Sequence, residues 1–223
     1  MKQFITAVCA VAALFATCSI SSAINLAPGT TVTPSAESSL PAGSFVFGPT
    51  NLTMTGTNIL GQNRFNGILT FAVYRENATG FLDFLYQYHA NLSQDGVQRL
   101  STVDFPNFMI DVTHLTGTAP PGFVLGSSIP SDATRSDTPG SIVGFDFRIP
   151  NDITTGMTSQ VLVLHTDATT TVPGATSAIN GAVATVVTRG PATTPEPATL
   201  TLFAGGLLGL GGAFWRKRKA LIA

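Results

Sequence analysis

Runs of alternating apolar and polar residues constrain the fold of this chain more than any other feature of its sequence. The clearest run is residues 143–149, and residues 69–75 and 81–89 repeat the same period of two. The link between the last two runs, Glu76–Gly80, is short and ends in glycine. A period of two is typical of strands with one covered face, and a short glycine-containing link predicts an antiparallel hairpin.

Three further segments extend this strand pattern. Residues 108–112 alternate, residues 161–164 are apolar on both faces, and residues 182–188 are rich in valine and threonine. An apolar run of this kind is typical of a central strand. The spacers carry turn residues, namely Asp95-Gly96, Pro120-Pro121-Gly122, Pro139-Gly140, Pro150-Asn151-Asp152 and Pro173-Gly174. Because no helical stripe lies between the two chain ends, we expect an all-β domain, an antiparallel β-sandwich of about seven to nine strands.

The C-terminal end contains three segments in a fixed order. Pro195-Glu196-Pro197 is followed by an apolar run, residues 198–215, and then by Arg216, Lys217, Arg218 and Lys219. As a helix, the apolar run would be about 27 Å long, close to the hydrocarbon core of about 30 Å. Basic residues stay on the cytoplasmic side, so the sequence predicts one transmembrane helix with the chain before Pro195 outside. A buried glycine-rich core helix is the alternative.

These three segments together resemble the PEP-CTERM sorting signal of exported bacterial proteins, a tail also labelled the ice-binding protein C-terminal domain. The resemblance covers only the C-terminal end of the chain. It implies that a membrane-embedded exosortase cuts near Pro195, Glu196 and Pro197 and discards the helix. The label implies no ice-binding activity. If the tail is not cut, the chain is instead a simple single-pass membrane-anchored protein.

The N-terminal end predicts export. Lys2 precedes an apolar stretch, Phe4–Phe15, and small residues lead up to Ala23. This pattern is typical of a signal peptide, residues 1–23, which signal peptidase removes after Ala23. Lipidation at Cys18 is the alternative. Since Cys9 and Cys18 both lie in this segment, the mature chain would have no disulfide.

Between the two terminal signals we expect one domain. Residues 24–43 are interpreted as a flexible leader or at most an edge strand, residues 44–189 as the β-sandwich, residues 190–194 as a stalk, and residues 195–219 as the sorting signal. Residues 24–194 contain no lysine, and acidic residues outnumber arginines. A mildly acidic domain of this kind argues against a nucleic-acid partner.

Candidate catalytic residues are few. His89, His114 and His165 lie near the ends of predicted strands and lack metal-binding spacing, so surface positions are expected rather than a shared metal. Asp104, Asp111 and Asp146 offer possible paired carboxylates, but the period of two places Asp111 and Asp146 on solvent faces. Solubilising charges are the simpler interpretation.

One segment resembles part of a calcium loop. Asn91, Ser93 and Asp95, followed by Gly96, match the first ligand positions, but Thr102 stands where a bidentate carboxylate is needed. An Asp95-Gly96 hairpin turn explains the same residues. These three residues are therefore weak metal candidates, and no cofactor is expected.

The sequence thus favours an exported cell-surface or extracellular-matrix protein without catalytic activity, in contact with extracellular polysaccharide. The alternative is a calcium- or glycan-binding surface module that uses Asn91–Gly96 and the aromatic residues Tyr74, Tyr86 and Tyr88. A hydrolase has no recognisable set of residues in the sequence.

Overall fold

The computed structural model describes residues 23–192, and these residues form thirteen strands and no helix. The strands are β1 Ile24–Asn25, β2 Thr31–Val32, β3 Ser35–Glu37, β4 Gly43–Thr57, β5 Asn63–Glu76, β6 Leu82–Ser93, β7 Arg99–Thr102, β8 Ile110–Leu115, β9 Asp132–Arg135, β10 Val143–Asp146, β11 Val161–Thr166, β12 Thr170–Ile179 and β13 Val183–Ala192. The all-β prediction is confirmed, but the expected number of strands is too low. Strands such as β1, β2 and β7 are too short to show a period of two.

The strands form two sheets that share one core. The large sheet has the order β1-β8-β11-β6-β5-β4, with β3 also paired to β8, and the small sheet has the order β13-β12-β7-β10-β9-β2. The ladders are antiparallel apart from the parallel pair β3 and β8. Apolar side chains from both sheets, including Phe71, Phe84 and Phe145, pack in the core between them. The predicted antiparallel two-sheet architecture is confirmed.

The predicted hairpin and central strand are both present. β5 pairs with β6 across Glu76–Gly80, and Gly80 has a φ of 73°, a left-handed conformation that glycine adopts without steric cost. β11 lies between β8 and β6, and its residues Val161–Leu164 are all buried. The period of two and the fully apolar run therefore predicted these strands correctly.

Two parts of the strand pattern differ from expectation. Pro173-Gly174, predicted as a turn, lies inside β12 opposite β13. Because β7 pairs only with Thr176–Ile179 of β12, Pro173 removes no hydrogen bond from that ladder. The long strand β4 had no clear signal because three register shifts interrupt its alternation, two of them within residues Phe45–Thr50 and one between Gly56 and Thr57.

Residues 24–43 are not a flexible leader. Their strands β1 and β3 pair with β8, and β2 pairs with β9. Leu26 is completely buried. Residues Gly190–Ala192 likewise belong to β13, so the predicted stalk, residues 190–194, begins as part of the small sheet. The edge-strand interpretation of the leader is the correct one.

Both faces of the large sheet are covered near its centre. The face turned away from the small sheet, here called the outer face, carries a second apolar cluster that includes Leu85, Val163 and Phe123. The loop that contains Phe123 is fixed there by Gln87, whose Nε2 donates to the Val124 carbonyl at 2.7 Å and whose Oε1 accepts from the Val124 amide at 3.0 Å. The outer face is therefore not the solvent face that a period of two in β6 predicts.

Within residues 23–192 no helix is long and apolar enough to cross a membrane. The predicted signal peptide falls almost entirely on residues 1–22, and the predicted sorting signal and transmembrane helix fall on residues 193–223. Both lie outside the described part of the chain.

Arg135 connects the leader to the small sheet and generates a testable prediction. It is buried, and its guanidinium donates to the carbonyls of Gly140, Leu26, Phe105 and Phe108 at 2.9–3.0 Å. An ammonium group lacks this planar fork. Arg135→Lys should therefore lower the free energy of unfolding by about 2–4 kcal/mol, because buried carbonyls lose their donors.

Urea unfolding of the full-length chain measures this change. Arg148→Lys is the matched control, because the Arg148 side chain is 72% exposed beside Asp132 and should change stability by no more than about 0.5 kcal/mol. Equal stability of the two variants would contradict the role given to Arg135.

Candidate functional site

The sheet topology brings His165 next to several carboxylates on the outer face. His165 lies near the end of β11, and its cross-strand neighbours are Asp83 of β6 and Asp111 of β8. Glu37 comes from β3 at the edge of the same sheet, and Glu76 ends β5. Residues from five strands therefore meet in one place, although they are far apart in the sequence.

The imidazole of His165 has acidic partners at both ring nitrogens. Nδ1 lies 2.9 Å from Asp83 Oδ1, and Nε2 lies 3.2 Å from Glu37 Oε2. Thr113 Oγ1 is 3.1 Å from Nε2 and donates to Glu37 Oε2 at 2.9 Å. Glu76 Oε1 is 3.9 Å from Nδ1. We refer to His165, Asp83, Glu37, Glu76 and Thr113 as the His165 cluster.

The cluster holds a proton on the imidazole. Burial by itself would lower the pKa of His165, but the hydrogen bonds and charges of Asp83 and Glu37 outweigh it and raise the pKa to about 10. Burial raises the pKa of the Asp83 carboxyl, although the hydrogen bond to His165 opposes this. At neutral pH the ring is therefore an imidazolium that donates from both nitrogens.

Asp83 is the most buried member of the cluster. Its side chain is 1% exposed, whereas the side chains of His165, Glu76 and Glu37 are 13–15% exposed. Only Oδ1 of Asp83 has a partner, because Oδ2 is buried without a hydrogen bond. A buried carboxylate oxygen without a hydrogen-bond donor costs folding free energy. A cation or a donor placed next to Oδ2 would remove this cost.

A groove connects the cluster to the surface. It has a volume of about 210 Å³, and its walls include Glu76, His165, Asp111, Asp167 and the exposed side chain of Met109. Thr79 Oγ1 donates to Glu76 Oε2 at 2.5 Å, which leaves Glu76 Oε1 directed towards the imidazole. Donor atoms of Glu76, Asp83 and His165 lie within 4.8 Å of one another, close enough to hold one metal ion.

The connection from Asp83 through His165 to Thr113 has the order of a carboxylate, a base and a hydroxyl nucleophile. Two features argue against its use in hydrolysis. Thr113 is only 1% exposed, so a substrate cannot reach its hydroxyl. The pKa of His165, raised to about 10, leaves no free nitrogen to accept a proton at neutral pH.

The weak calcium candidates do not form a loop. Asn91 and Ser93 lie in β6, where Asn91 is exposed and Ser93 is buried. Asp95 forms an ion pair with Arg64 instead of facing them. Asn91 and Ser93 thus differ in exposure, and Asp95 has a cationic partner, so the Asp95-Gly96 turn accounts for the partial sequence match.

Two of the three aromatic residues suggested for glycan binding are buried. Tyr86 and Tyr88 are 2% and 0% exposed in the main core, where Tyr86 Oη lies 3.1 Å from Thr102 Oγ1. Tyr74 donates to the Pro41 carbonyl at 2.9 Å and packs edge-on against Phe45. Tyr86 and Tyr88 therefore offer no face to a sugar, and the glycan hypothesis keeps only the half-buried Tyr74 of its three aromatic residues.

The other candidate histidines and acids are not part of the His165 cluster, although Asp111 lines the same groove. His89 Nδ1 is 2.8 Å from Thr158 Oγ1, and His114 is buried, so the surface position expected for His114 is wrong. Arg99 binds both oxygens of Asp146 at 2.7 and 2.8 Å in the small sheet. Asp111 is half-buried and accepts from Asn25 at 3.1 Å. The three histidines and the candidate carboxylates Asp104, Asp111 and Asp146 therefore do not converge on one site.

Sequence reasoning missed the His165 cluster, although a signal was present. Asp83 interrupts the apolar run Leu82–Leu85, and His165 directly follows the apolar run of β11. Charged residues in fully buried strands are rare unless they are paired. Such a residue in each of two adjacent central strands indicates that the two side chains meet.

Comparison with known proteins identifies one segment of the chain. The family described as PEP-CTERM protein-sorting motif matches residues 193–219, directly after the end of β13. No curated protein and no solved structure matches the chain.

The proton held by the cluster makes stability depend on pH. The folded pKa of His165, about 10, lies above its ordinary value of 6.5, so its stabilising effect is complete below pH 6.5 and is lost as the pH rises through 10. The raised pKa of Asp83 also makes stability fall with rising pH, but its effect begins at its ordinary value of 3.8. With metal ions removed by EDTA, the free energy of unfolding of the full-length chain should fall by on the order of a few kcal/mol as the pH rises from 6.5 to 10.

Urea unfolding at several pH values measures this slope. His165→Gln should flatten it, because glutamine does not titrate, whereas His89→Gln, outside the cluster, should leave it unchanged. A slope that is the same in the wild type and in His165→Gln would contradict the assignment.

Proposed function

Because the chain carries a PEP-CTERM protein-sorting motif at residues 193–219, we propose that it is an exported bacterial protein whose tail an exosortase cuts. The motif is the single observation that carries this proposal. Proline at positions 195 and 197 disfavours helix in the motif that precedes the apolar run. Residues 198–215 hold the chain in the inner membrane until cutting, and residues 216–219 stay in the cytoplasm.

The β-sandwich is the part delivered to the cell surface or extracellular matrix, and we propose a non-catalytic role for it. The burial of Thr113 supports this, because a substrate cannot reach its hydroxyl for nucleophilic chemistry. Exposed threonines on β12 and β13, such as Thr170 and Thr185, keep free acceptor positions beside their bonds to Ala192 and Ser177, and these could form weak contacts with extracellular polysaccharide.

Intact mass of the protein recovered from its own bacterium tests the processing. We expect a species that begins at Ile24 and ends near Pro195, without the basic tail. Glu196→Gln should leave the tail attached on most of the protein, because the charged centre of the motif is lost. Thr194→Ser, which changes a neighbouring residue outside Pro195-Glu196-Pro197, should be processed like the wild type.

Recovery of wild-type protein with Arg216–Lys219 still attached would overturn exosortase processing. The chain would then be a single-pass membrane-anchored protein with the same β domain outside.

A further inference from the structure

We propose that Glu76, Asp83 and His165 bind one divalent transition-metal ion, of the Zn²⁺ type, at the inner end of the groove on the outer face. The site is independent of the C-terminal sorting motif. It would stabilise the β domain by joining strands β5, β6 and β11 through a single ion.

The cluster has more negative charge than the imidazolium can neutralise. Three carboxylates, Glu37, Asp83 and Glu76, surround one singly charged ring, and Asp83 Oδ2 has no partner although the side chain is 1% exposed. A divalent ion supplies twice the charge of the imidazolium and a ligand position for a buried carboxylate oxygen. The orphaned oxygen is the observation that distinguishes this cluster from a saturated ion-pair network.

The donor spacing fits one ion. Donor atoms from the three residues lie within 4.8 Å of one another. In a tetrahedral zinc site with bonds of about 2.0–2.2 Å the ligand atoms lie about 3.3–3.6 Å apart, so the widest pair of donors must close by about an ångström. Glu76 and His165 line the groove, so an ion can reach these two ligands from solvent past Met109.

The second ring nitrogen already has the partner that a metal-binding histidine requires. Nδ1 faces Asp83 and Glu76, whereas Nε2 faces Glu37 Oε2 at 3.2 Å, and Thr113 holds that carboxylate at 2.9 Å. Metal-bound histidines usually donate their other N–H to a carboxylate, which fixes the ring and strengthens it as a ligand. Glu37 is thus a positioning residue, and Nδ1 is the ligating atom.

The donor chemistry favours a transition metal over calcium. One imidazole nitrogen with two carboxylates suits Zn²⁺ or similar ions, whereas Ca²⁺ takes six to eight oxygen ligands. A proton on Nδ1 competes with the metal, and the ion must displace it.

Titration calorimetry with ZnCl₂ tests the proposal on the full-length chain, purified in mild detergent without a histidine tag and stripped with EDTA. We expect one Zn²⁺ per chain and a higher thermal midpoint. Glu76→Gln should weaken binding by at least about tenfold, and Asp83→Asn and His165→Gln should abolish it. Glu37→Gln should weaken binding about 10- to 100-fold without changing the stoichiometry.

Asp111→Asn is the matched control. It removes a carboxylate from the same groove but not from the three ligands, so binding should change by less than about threefold if ligation, rather than diffuse negative charge, holds the ion. A loss in Asp111→Asn as large as in Glu76→Gln would overturn the proposed ligand set.

A measurement on the wild type covers the case in which Asp83→Asn or His165→Gln does not fold. The variants His89→Gln and His114→Gln identify which ¹⁵N resonances belong to His165. Zn²⁺ should then shift the resonance of His165 Nδ1 and leave the resonances of the His89 and His114 rings unchanged. Absence of Zn²⁺ binding would show that the imidazolium alone occupies the cluster. Stabilisation by Ca²⁺ without Zn²⁺ would show an oxygen-only site, and either result would overturn the proposal.

Discussion

Burial of both faces of the central strands is the constraint on which the rest of this structure depends. β6 and β11 pack against the small sheet on one face and against the loop around Phe123 on the other. Backbone groups in such strands are satisfied by the ladders on both sides, but any polar side chain must find a partner within the protein. Gln87 does so by binding the Val124 backbone, and Asp83 does so by binding His165.

The His165 cluster is a direct consequence of that constraint. Asp83 and His165 have the same register position on adjacent strands and point to the same covered face. Neither side chain can reach bulk water easily, so each stabilises the charge of the other, and the edge strand β3 adds Glu37. Breaking such a buried pair leaves an uncompensated charge, which is far more costly than the loss of an exposed ion pair. The short strands of the leader therefore contribute to the electrostatics as well as to the packing of the domain.

Sequence reasoning identified the fold class because its evidence was local. The alternation in residues 143–149, the Glu76–Gly80 link and the apolar run of β11 each depend on neighbouring residues in the chain. It failed where non-local packing decided the outcome. Residues 24–43 form edge strands because they pair with the free edges of β8 and β9. Tyr86 and Tyr88 are buried because the small sheet covers the face of β6 on which they lie.

The sequence by itself determined that the domain is all-β and that a sorting motif follows it. Strands are recognised from a period of two in neighbouring residues, and the motif from the fixed order of its contiguous segments. Only the tertiary structure decided which charged residues meet. Asp83 is 82 positions and Glu37 is 128 positions away from His165 in the sequence, and no local pattern links them. Their meeting depends on strand order and register, and these are set by the packing of whole sheets.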